Sequence, residues 1–215
     1  MVDVKICGLS TLESIDAAID AGADLIGLVF YSRSPRNVSV QQAKTLADHA
    51  RGRAKVVALI VDADDAALQE INKNVAPDLY QAHGSETPRR VGEIGTLTGK
   101  PVIKAIKVGD RKDIAKAAAY AGKASLILYD AKAPETLVNA LPGGNGLAFD
   151  WNLLGSARQP EGFILSGGLN PENVAQAIRV TGAPIVDVSS GVESAPGKKD
   201  LGLIRKFIEA AKASR

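Results

Sequence analysis

Short apolar runs recur along the chain, and most are rich in Val, Ile and Leu, which favours buried strands. Between most of these runs, apolar residues lie three and four positions apart, as at Leu12, Ile15 and Ile19, which is typical of amphipathic helices. The pattern therefore predicts alternating strands and helices. The predicted strands are residues 2–6, 25–30, 56–61, 79–81, 102–106, 126–129, 163–165 and 185–188.

Eight such units in 215 residues predict a (β/α)8 TIM barrel of the α/β class, formed as one domain by residues 1–215. The alternative is an open doubly wound sheet, which carries a glycine-rich nucleotide loop after its first strand. The loop here contains Gly8 and lacks that glycine spacing. In a barrel the active site is built at the carboxyl ends of the strands.

Local signals predict two helix starts. Ser10 with Glu13 has the spacing of a capping box, and Asn170 followed by Pro171 predicts a cap with proline at the first helical position. The connection over residues 129–163 contains several glycines in place of a plain helical pattern. Because long loops inside compact domains are usually functional, we expect this one to cover the site.

Composition narrows the class of protein. Hydrophobic residues make up 46% but aromatic residues only 4%, so small aliphatic side chains fill the core. The 26 basic and 24 acidic residues are scattered, which argues against a nucleic-acid partner, and Lys198 and Lys199 are expected to be solvated. The longest apolar run, residues 25–31, is far shorter than the roughly 20 residues of a membrane span. A lone cysteine and a polar amino terminus predict a cytoplasmic protein.

Two small-residue segments follow the seventh and eighth predicted strands. Gly167 and Gly168 end the first segment, and Ser189, Ser190 and Gly191 form the second. Either alone is consistent with a tight turn. Together, on adjacent strands of a barrel, they predict a phosphate site, since backbone N–H groups there can approach an anion closely.

Cys7 and Asp130 end the first and sixth predicted strands, where a thiol and a carboxyl group can exchange protons with a substrate. A buried, inert cysteine and a carboxylate that caps a turn are the alternatives. Lys5, two residues before Cys7, is expected to point away from it. The interpretation leaves open how the thiol would be activated.

Three further polar residues follow or lie within predicted strands. Arg36 can clamp a carboxylate, His83 can titrate or donate a hydrogen bond, and Asp187 must face a polar pocket or be paired. A metal site is not indicated, because Cys7, His49 and His83 are widely spread. No Gly-x-Ser-x-Gly hydrolase motif is present.

Taken together, these motifs closely resemble the phosphoribosylanthranilate isomerase family, from Val4 to the final predicted helix. The motifs are Lys5-Ile6-Cys7-Gly8, Phe30-Tyr31 with Ser34-Pro35-Arg36, Gln81-Ala82-His83-Gly84, Asp130, Gly143-Gly144-Asn145-Gly146 with Phe149-Asp150-Trp151, Leu165-Ser166-Gly167-Gly168-Leu169-Asn170-Pro171, and Asp187-Val188-Ser189-Ser190-Gly191-Val192-Glu193. One departure is Ala82, where the family commonly has a larger aliphatic residue.

The resemblance implies a cofactor-independent Amadori rearrangement of a small phosphorylated substrate, N-(5-phosphoribosyl)anthranilate, in tryptophan biosynthesis. By position, Asp130 would be the general acid that protonates the furanose ring oxygen, and Cys7 the general base that removes the C2′ proton. Arg36 would hold the anthranilate carboxylate, with His83 and Asp187 as pocket residues. The phosphate would lie at Gly167, Gly168, Ser189, Ser190 and Gly191.

Two other functions compete. The sugar isomerase of histidine biosynthesis catalyses the same rearrangement, but it uses a pair of aspartates and needs a second phosphate site. A non-catalytic barrel that binds a phosphorylated metabolite would be indifferent to changes at Cys7 and Asp130. The sequence leaves monomer and homodimer open.

Overall fold

The computed structural model describes residues 1–133, 141–146, 148–155 and 162–214. Eight parallel strands follow chain order around a closed barrel, and β8 pairs with β1 to close it. The strands are β1 (Asp3–Cys7), β2 (Leu25–Phe30), β3 (Lys55–Ile60), β4 (Leu79–Ala82), β5 (Val102–Val108), β6 (Leu126–Ala131), β7 (Ile164–Leu165) and β8 (Ile185–Val188). The predicted (β/α)8 architecture is confirmed.

Helices lie between successive strands. They are α1 (Leu12–Asp20), α2 (Val40–Ala50), α3 (Asp65–Asn74), α4 (Pro88–Thr98), α5 (Arg111–Ala115), α6 (Asn152–Gly155), α7 (Val174–Thr181) and α8 (Leu201–Lys212). A 3-10 turn at Ser190–Val192 follows β8 and leads into an antiparallel hairpin of β9 (Glu193–Ala195) and β10 (Lys198–Lys199). This hairpin lies between the last strand and the last helix.

Alternation along the strands divides the core into two parts. On β1, Val4 and Ile6 belong to the large cluster that the strands share with the helices, so Lys5 and Cys7 point into the barrel. The interior cluster consists of Leu25, Val57, Leu79, Ile103, Ala105, Leu128 and Ile164. The prediction that Lys5 points away from Cys7 is therefore wrong, because both side chains lie on the interior face.

Both predicted helix starts are displaced. The cap of α1 is Thr11, whose hydroxyl accepts from the Ser14 N–H at 3.2 Å, and Ser14 completes the capping box in place of Glu13. Helix α7 begins at Val174, after a turn in which the Asn170 side chain accepts from the N–H groups of residues 172 and 173. In α1 the next polar residue takes over the capping role, whereas the first position of α7 has no side-chain cap.

A buried ion pair lies apart from the barrel interior, after β4. The Lys104 ammonium is 2.7 Å from the Glu86 carboxylate, and both side chains are almost fully buried. Glu86 also accepts from the N–H groups of Asp62 and Gly84, at 2.9 and 3.1 Å. The carboxylate therefore joins the loops that follow β3 and β4.

Two classes of feature are not found in the described ranges. No helix there is both long and apolar enough to cross a membrane. Likewise, no three or more His, Cys, Asp or Glu side chains there are grouped so as to hold a metal ion.

Candidate active site

A cleft opens at the carboxyl ends of the barrel strands, with about 750 Å³ of empty space that includes its opening to solvent. Every residue predicted for the site lines it: Cys7, Arg36, His83, Asp130, Gly167, Gly168, Asp187, Ser189, Ser190 and Gly191. These residues come from the ends of six different strands or from the loops that follow them, and they converge on one cavity.

Cys7 and Lys5 face the same small space inside the barrel. A Cβ atom at Gly27, on the neighbouring strand, would lie 2.8 Å from the Cys7 sulfur and 3.2 Å from the Lys5 ammonium. Lys5 in turn donates to Asp187 at 2.8 Å, and Asp187 also accepts from the Ser166 hydroxyl at 3.2 Å. The absence of a side chain at residue 27 lets the thiol and the ammonium group sit side by side.

Burial and neighbouring charges have opposing effects on the pKa of the Cys7 thiol. Burial raises the pKa of Cys7 and the Asp187 carboxylate adds to the rise, whereas the ammonium groups of Lys5 and Lys199 counteract it. Burial alone would lower the pKa of Lys5, but Asp187 and Cys7 outweigh that effect and raise it. Lys5 therefore remains a cation beside a thiol that is mostly protonated at neutral pH.

Asp130 lies at the end of a hydrogen-bonded chain. Its Oδ2 atom is 3.1 Å from His83 Nε2, and His83 Nδ1 is 2.8 Å from the Gln81 amide nitrogen. If the amide donates to Nδ1, the imidazole carries its proton on Nε2 and donates to Asp130. Gln81 Oε1 has no hydrogen-bond partner in the described structure, so this side chain serves His83 through its nitrogen.

Part of the long connection after β6 covers the acid, as predicted. A Cβ atom at Gly143 would lie 2.6 Å from His83 Nε2 and 2.7 Å from Asp130 Oδ2. The backbone of this segment therefore packs directly on the His83–Asp130 pair. The rest of that prediction falls partly on residues 134–140, 147 and 156–161, which lie outside the described residues.

Arg36 lines the cleft, and Glu193 fixes the position of its guanidinium group. Its Nε and Nη2 atoms donate to the two carboxylate oxygens of Glu193 at 2.7 and 2.8 Å. Nη2 also donates to the Gly144 carbonyl at 3.4 Å, while Nη1 has no hydrogen bond among the described residues. The bidentate pair fixes the plane of the guanidinium group and leaves Nη1 for a ligand.

Lys199 is buried beside the Arg36–Glu193 pair, which contradicts its predicted exposure. It was predicted to be solvated, but its side chain is 3% exposed and its ammonium donates to Glu193 at 2.7 Å. Burial would raise the pKa of Glu193, yet Arg36 and Lys199 together lower it. Sequence reasoning gave neither Glu193 nor Lys199 a role. The local sequence held no signal for either role, because the contacts of both residues with Arg36 and Ser189 depend on how the hairpin folds back.

The two small-residue segments place free donors in the cleft. Gly167 has a φ of 87°, and a Cβ atom there would lie 2.5 Å from the Ala131 nitrogen, so only glycine fits. Within the described part of the chain, the backbone N–H groups of Gly168, Ser190 and Gly191 donate to no protein acceptor. Free N–H groups gathered in a concave surface are suited to an anion such as phosphate.

Comparisons with known proteins agree with this arrangement. The family model for N-(5'-phosphoribosyl)anthranilate (PRA) isomerase matches residues 4–210. A relative from Parvibaculum lavamentivorans, named N-(5'-phosphoribosyl)anthranilate isomerase, is 52% identical over 98% of each chain.

Solved structures give the same result. Phosphoribosyl anthranilate isomerase from Thermotoga maritima superposes with a TM-score of 0.88 at 37% identity, over 99% of each chain. A second structure, of an isomerase in complex with reduced 1-(o-carboxyphenylamino)-1-deoxyribulose 5-phosphate, has a TM-score of 0.83 at 34% identity, over 99% of each chain. The chain therefore belongs to the phosphoribosylanthranilate isomerase family.

Proposed function

We propose that the chain catalyses the Amadori rearrangement of N-(5-phospho-β-D-ribosyl)anthranilate to 1-(2-carboxyphenylamino)-1-deoxy-D-ribulose 5-phosphate in tryptophan biosynthesis. The observation that carries the proposal is one cleft containing a thiol, a carboxyl group, a fixed guanidinium group and a set of free backbone N–H groups. These match, in turn, a proton acceptor, a proton donor and two anion-binding ends. The related isomerase bound to a reduced product analogue supports the same substrate.

Asp130 acts first, as the general acid. Its protonated carboxyl group gives a proton to the furanose ring oxygen, the C1′–O bond breaks, and the anilino nitrogen lone pair forms a Schiff base at C1′. Asp130 is 4% exposed, and the His83 imidazole and the segment around Gly143 enclose it. Such enclosure keeps water from competing with the ring oxygen for the proton.

Cys7 acts second, as the general base. The thiolate removes the C2′ proton, the C2′ electrons form a C1′=C2′ double bond, and the Schiff-base nitrogen becomes a neutral amine. The resulting enolamine then tautomerises to the ketone: C1′ takes a proton, the C2′ hydroxyl group loses its proton, and the C1′=C2′ double bond is replaced by C2′=O. Lys5 supplies the larger part of the positive charge that favours the thiolate over the thiol.

The two anionic ends of the substrate fix its direction in the cleft. Arg36 Nη1 faces the anthranilate carboxylate, and the N–H groups of Gly168, Ser190 and Gly191 face the phosphate. Arg36 and Lys199 carry two positive charges against one negative charge on Glu193, so this wall has a net charge of +1. A monoanionic carboxylate is complementary to that charge.

The test follows the loss of substrate fluorescence with freshly prepared phosphoribosylanthranilate. We expect turnover by the parent and losses of at least about a hundredfold in Cys7→Ser and in Asp130→Asn, the usual size of a general acid or base contribution. Asp48→Asn, which changes an exposed carboxylate, serves as the matched control. An inactive parent would refute the function, whereas an active parent with fully active variants would refute the assigned roles.

We further propose that the enzyme works in the cytoplasm as a monomer or a homodimer, with no nucleic-acid partner. The single cysteine and the scattered charges support this. Light scattering of the purified protein distinguishes the two oligomeric states.

A further inference from the structure

The β9–β10 hairpin places a buried cation between the two ends of the cleft. The Lys199 ammonium donates to Glu193 Oε1 at 2.7 Å, to the Ser189 carbonyl at 2.8 Å and to the Ser189 hydroxyl at 3.4 Å. These three acceptors match the three N–H bonds of an ammonium group. Lys199 therefore has no donor left for a substrate, and its effect on one must pass through the residues that it holds.

Glu193 is the first of those residues. Its two oxygens accept four hydrogen bonds: from Arg36 Nε and Nη2, from Lys199 Nζ and, at 3.1 Å, from the Gly197 N–H. The carboxylate is thus saturated and fixed in orientation. Because it binds both oxygens to one edge of the Arg36 guanidinium group, the direction of Nη1 depends on where Lys199 and Gly197 hold Glu193.

Ser189 is the second. It immediately precedes Ser190 and Gly191, which line the cleft and whose N–H groups donate to no acceptor in the described part of the chain. The Ser189 carbonyl accepts from the Val192 N–H at a long 3.4 Å and from Lys199 at 2.8 Å, so the lysine makes the shorter of its two bonds. The orientation of the following peptide groups therefore depends on the same ammonium group.

We propose that Lys199 is a positioning residue that couples the carboxylate end of the cleft to its phosphate end, through Glu193 to Arg36 and through Ser189 to the N–H groups of Ser190 and Gly191. The proposal rests on the proposed function, which assigns the carboxylate to Arg36 and the phosphate to those N–H groups. Lys199 also keeps the Arg36–Glu193 wall positive. Without it, Glu193 would cancel the charge of Arg36.

The experiment compares Lys199→Met with Lys198→Met, the adjacent residue of β10, whose side chain is exposed. Anthranilate and inorganic phosphate serve as separate competitive inhibitors, one for each end of the cleft. We expect Lys199→Met to weaken both inhibitors and to raise KM by about tenfold to a hundredfold, the effect of losing a charge-assisted hydrogen bond. Because the loss is one of binding, kcat should change much less than KM. Lys198→Met should match the parent.

Glu193→Gln separates coupling from general destabilisation and keeps the proposal testable if Lys199→Met does not fold. It disturbs the link to Arg36 but leaves the Lys199–Ser189 bonds in place. We expect anthranilate to bind at least about tenfold more weakly and phosphate to change by less than about twofold. Equal losses at both ends in this variant would overturn the proposal.

The same measurements distinguish failure of the Lys199 role from failure of the proposed function. Three results would each overturn the coupling role. The first is a fall in the affinity of Lys199→Met for only one of the two inhibitors, and the second is a fall in its kcat at constant KM. The third is behaviour of Lys199→Met equal to that of Lys198→Met. A parent that binds neither anthranilate nor phosphate would instead refute the proposed function.

Discussion

At the scale of single residues, the thiol of Cys7 and the ammonium group of Lys5 are interdependent. The pKa of Cys7 is raised by burial, so the thiolate is the minor form at neutral pH and grows as the pH rises. A thiolate absorbs ultraviolet light more strongly than a thiol, so the difference in absorbance between the parent and Cys7→Ser should increase with pH from 7 upward. A pH titration of the two proteins checks the direction, and a flat profile would argue against a titrating thiol.

Lys5→Met tests whether the Lys5 ammonium group lowers the pKa of Cys7. Without the ammonium group the pKa of Cys7 should rise further, so the rising part of the profile should move to higher pH and activity at pH 7 should fall at least about tenfold. Lys55→Met, at the exposed start of β3, is the control. An unmoved profile would show that Lys5 does not stabilise the thiolate.

The residues that sequence could identify are those whose place follows from the strand pattern. Cys7, Asp130 and the small residues after β7 and β8 directly follow or end strands, and barrel topology brings strand ends together. Lys199 and Glu193 belong to a hairpin after the last strand, where no periodic rule states which way the hairpin folds. Their contacts with Arg36 are long-range, and only the assembled structure reveals them.

At the scale of elements, the segment after β6 makes a sharp prediction. Gly143 does not have a positive φ, so alanine is compatible with its backbone, but the added Cβ would meet His83 and Asp130. Gly143→Ala should therefore lower kcat/KM at least about tenfold while the melting temperature changes little. Gly95→Ala, in α4 with only ordinary contacts around its Cβ, should leave activity unchanged. Full activity of Gly143→Ala would mean that the segment does not close on the acid.

Element boundaries were less predictable than element types. Ser10 and Thr11 are both good capping residues, and which one caps α1 depends on backbone geometry: Thr11 is extended and its hydroxyl faces the Ser14 N–H. Asn170 likewise forms a turn instead of a helix cap. Local sequence therefore indicates that a helix begins nearby, while tertiary packing selects the residue.

At the scale of the whole molecule, the Lys104–Glu86 pair should contribute to stability. Burial alone would raise the pKa of Glu86, but Lys104 and backbone N–H groups outweigh it and lower the value. A lowered pKa means that the carboxylate stabilises the fold above its ordinary pKa, and that this stability is lost as the pH falls through the folded-state value.

Glu86→Gln should lower the free energy of unfolding by about 3 kcal/mol at pH 7, because Lys104 is left as an unpaired buried charge. Urea denaturation measures the change, and the difference from the parent should shrink as the pH falls below about 4. Glu93→Gln breaks an exposed pair and should lower the free energy of unfolding much less. Equal effects of the two substitutions would show that burial of the pair does not matter.

The single cysteine of the chain lies, 3% exposed, in the wall of the substrate cleft. An alkylating reagent that reaches it from the cleft enters the space that the substrate would occupy, and the chain offers no other thiol to react with. The rate at which one adduct forms, followed by mass spectrometry, is therefore proportional to the fraction of active sites that are empty. The protein carries an internal occupancy probe that requires no introduced label.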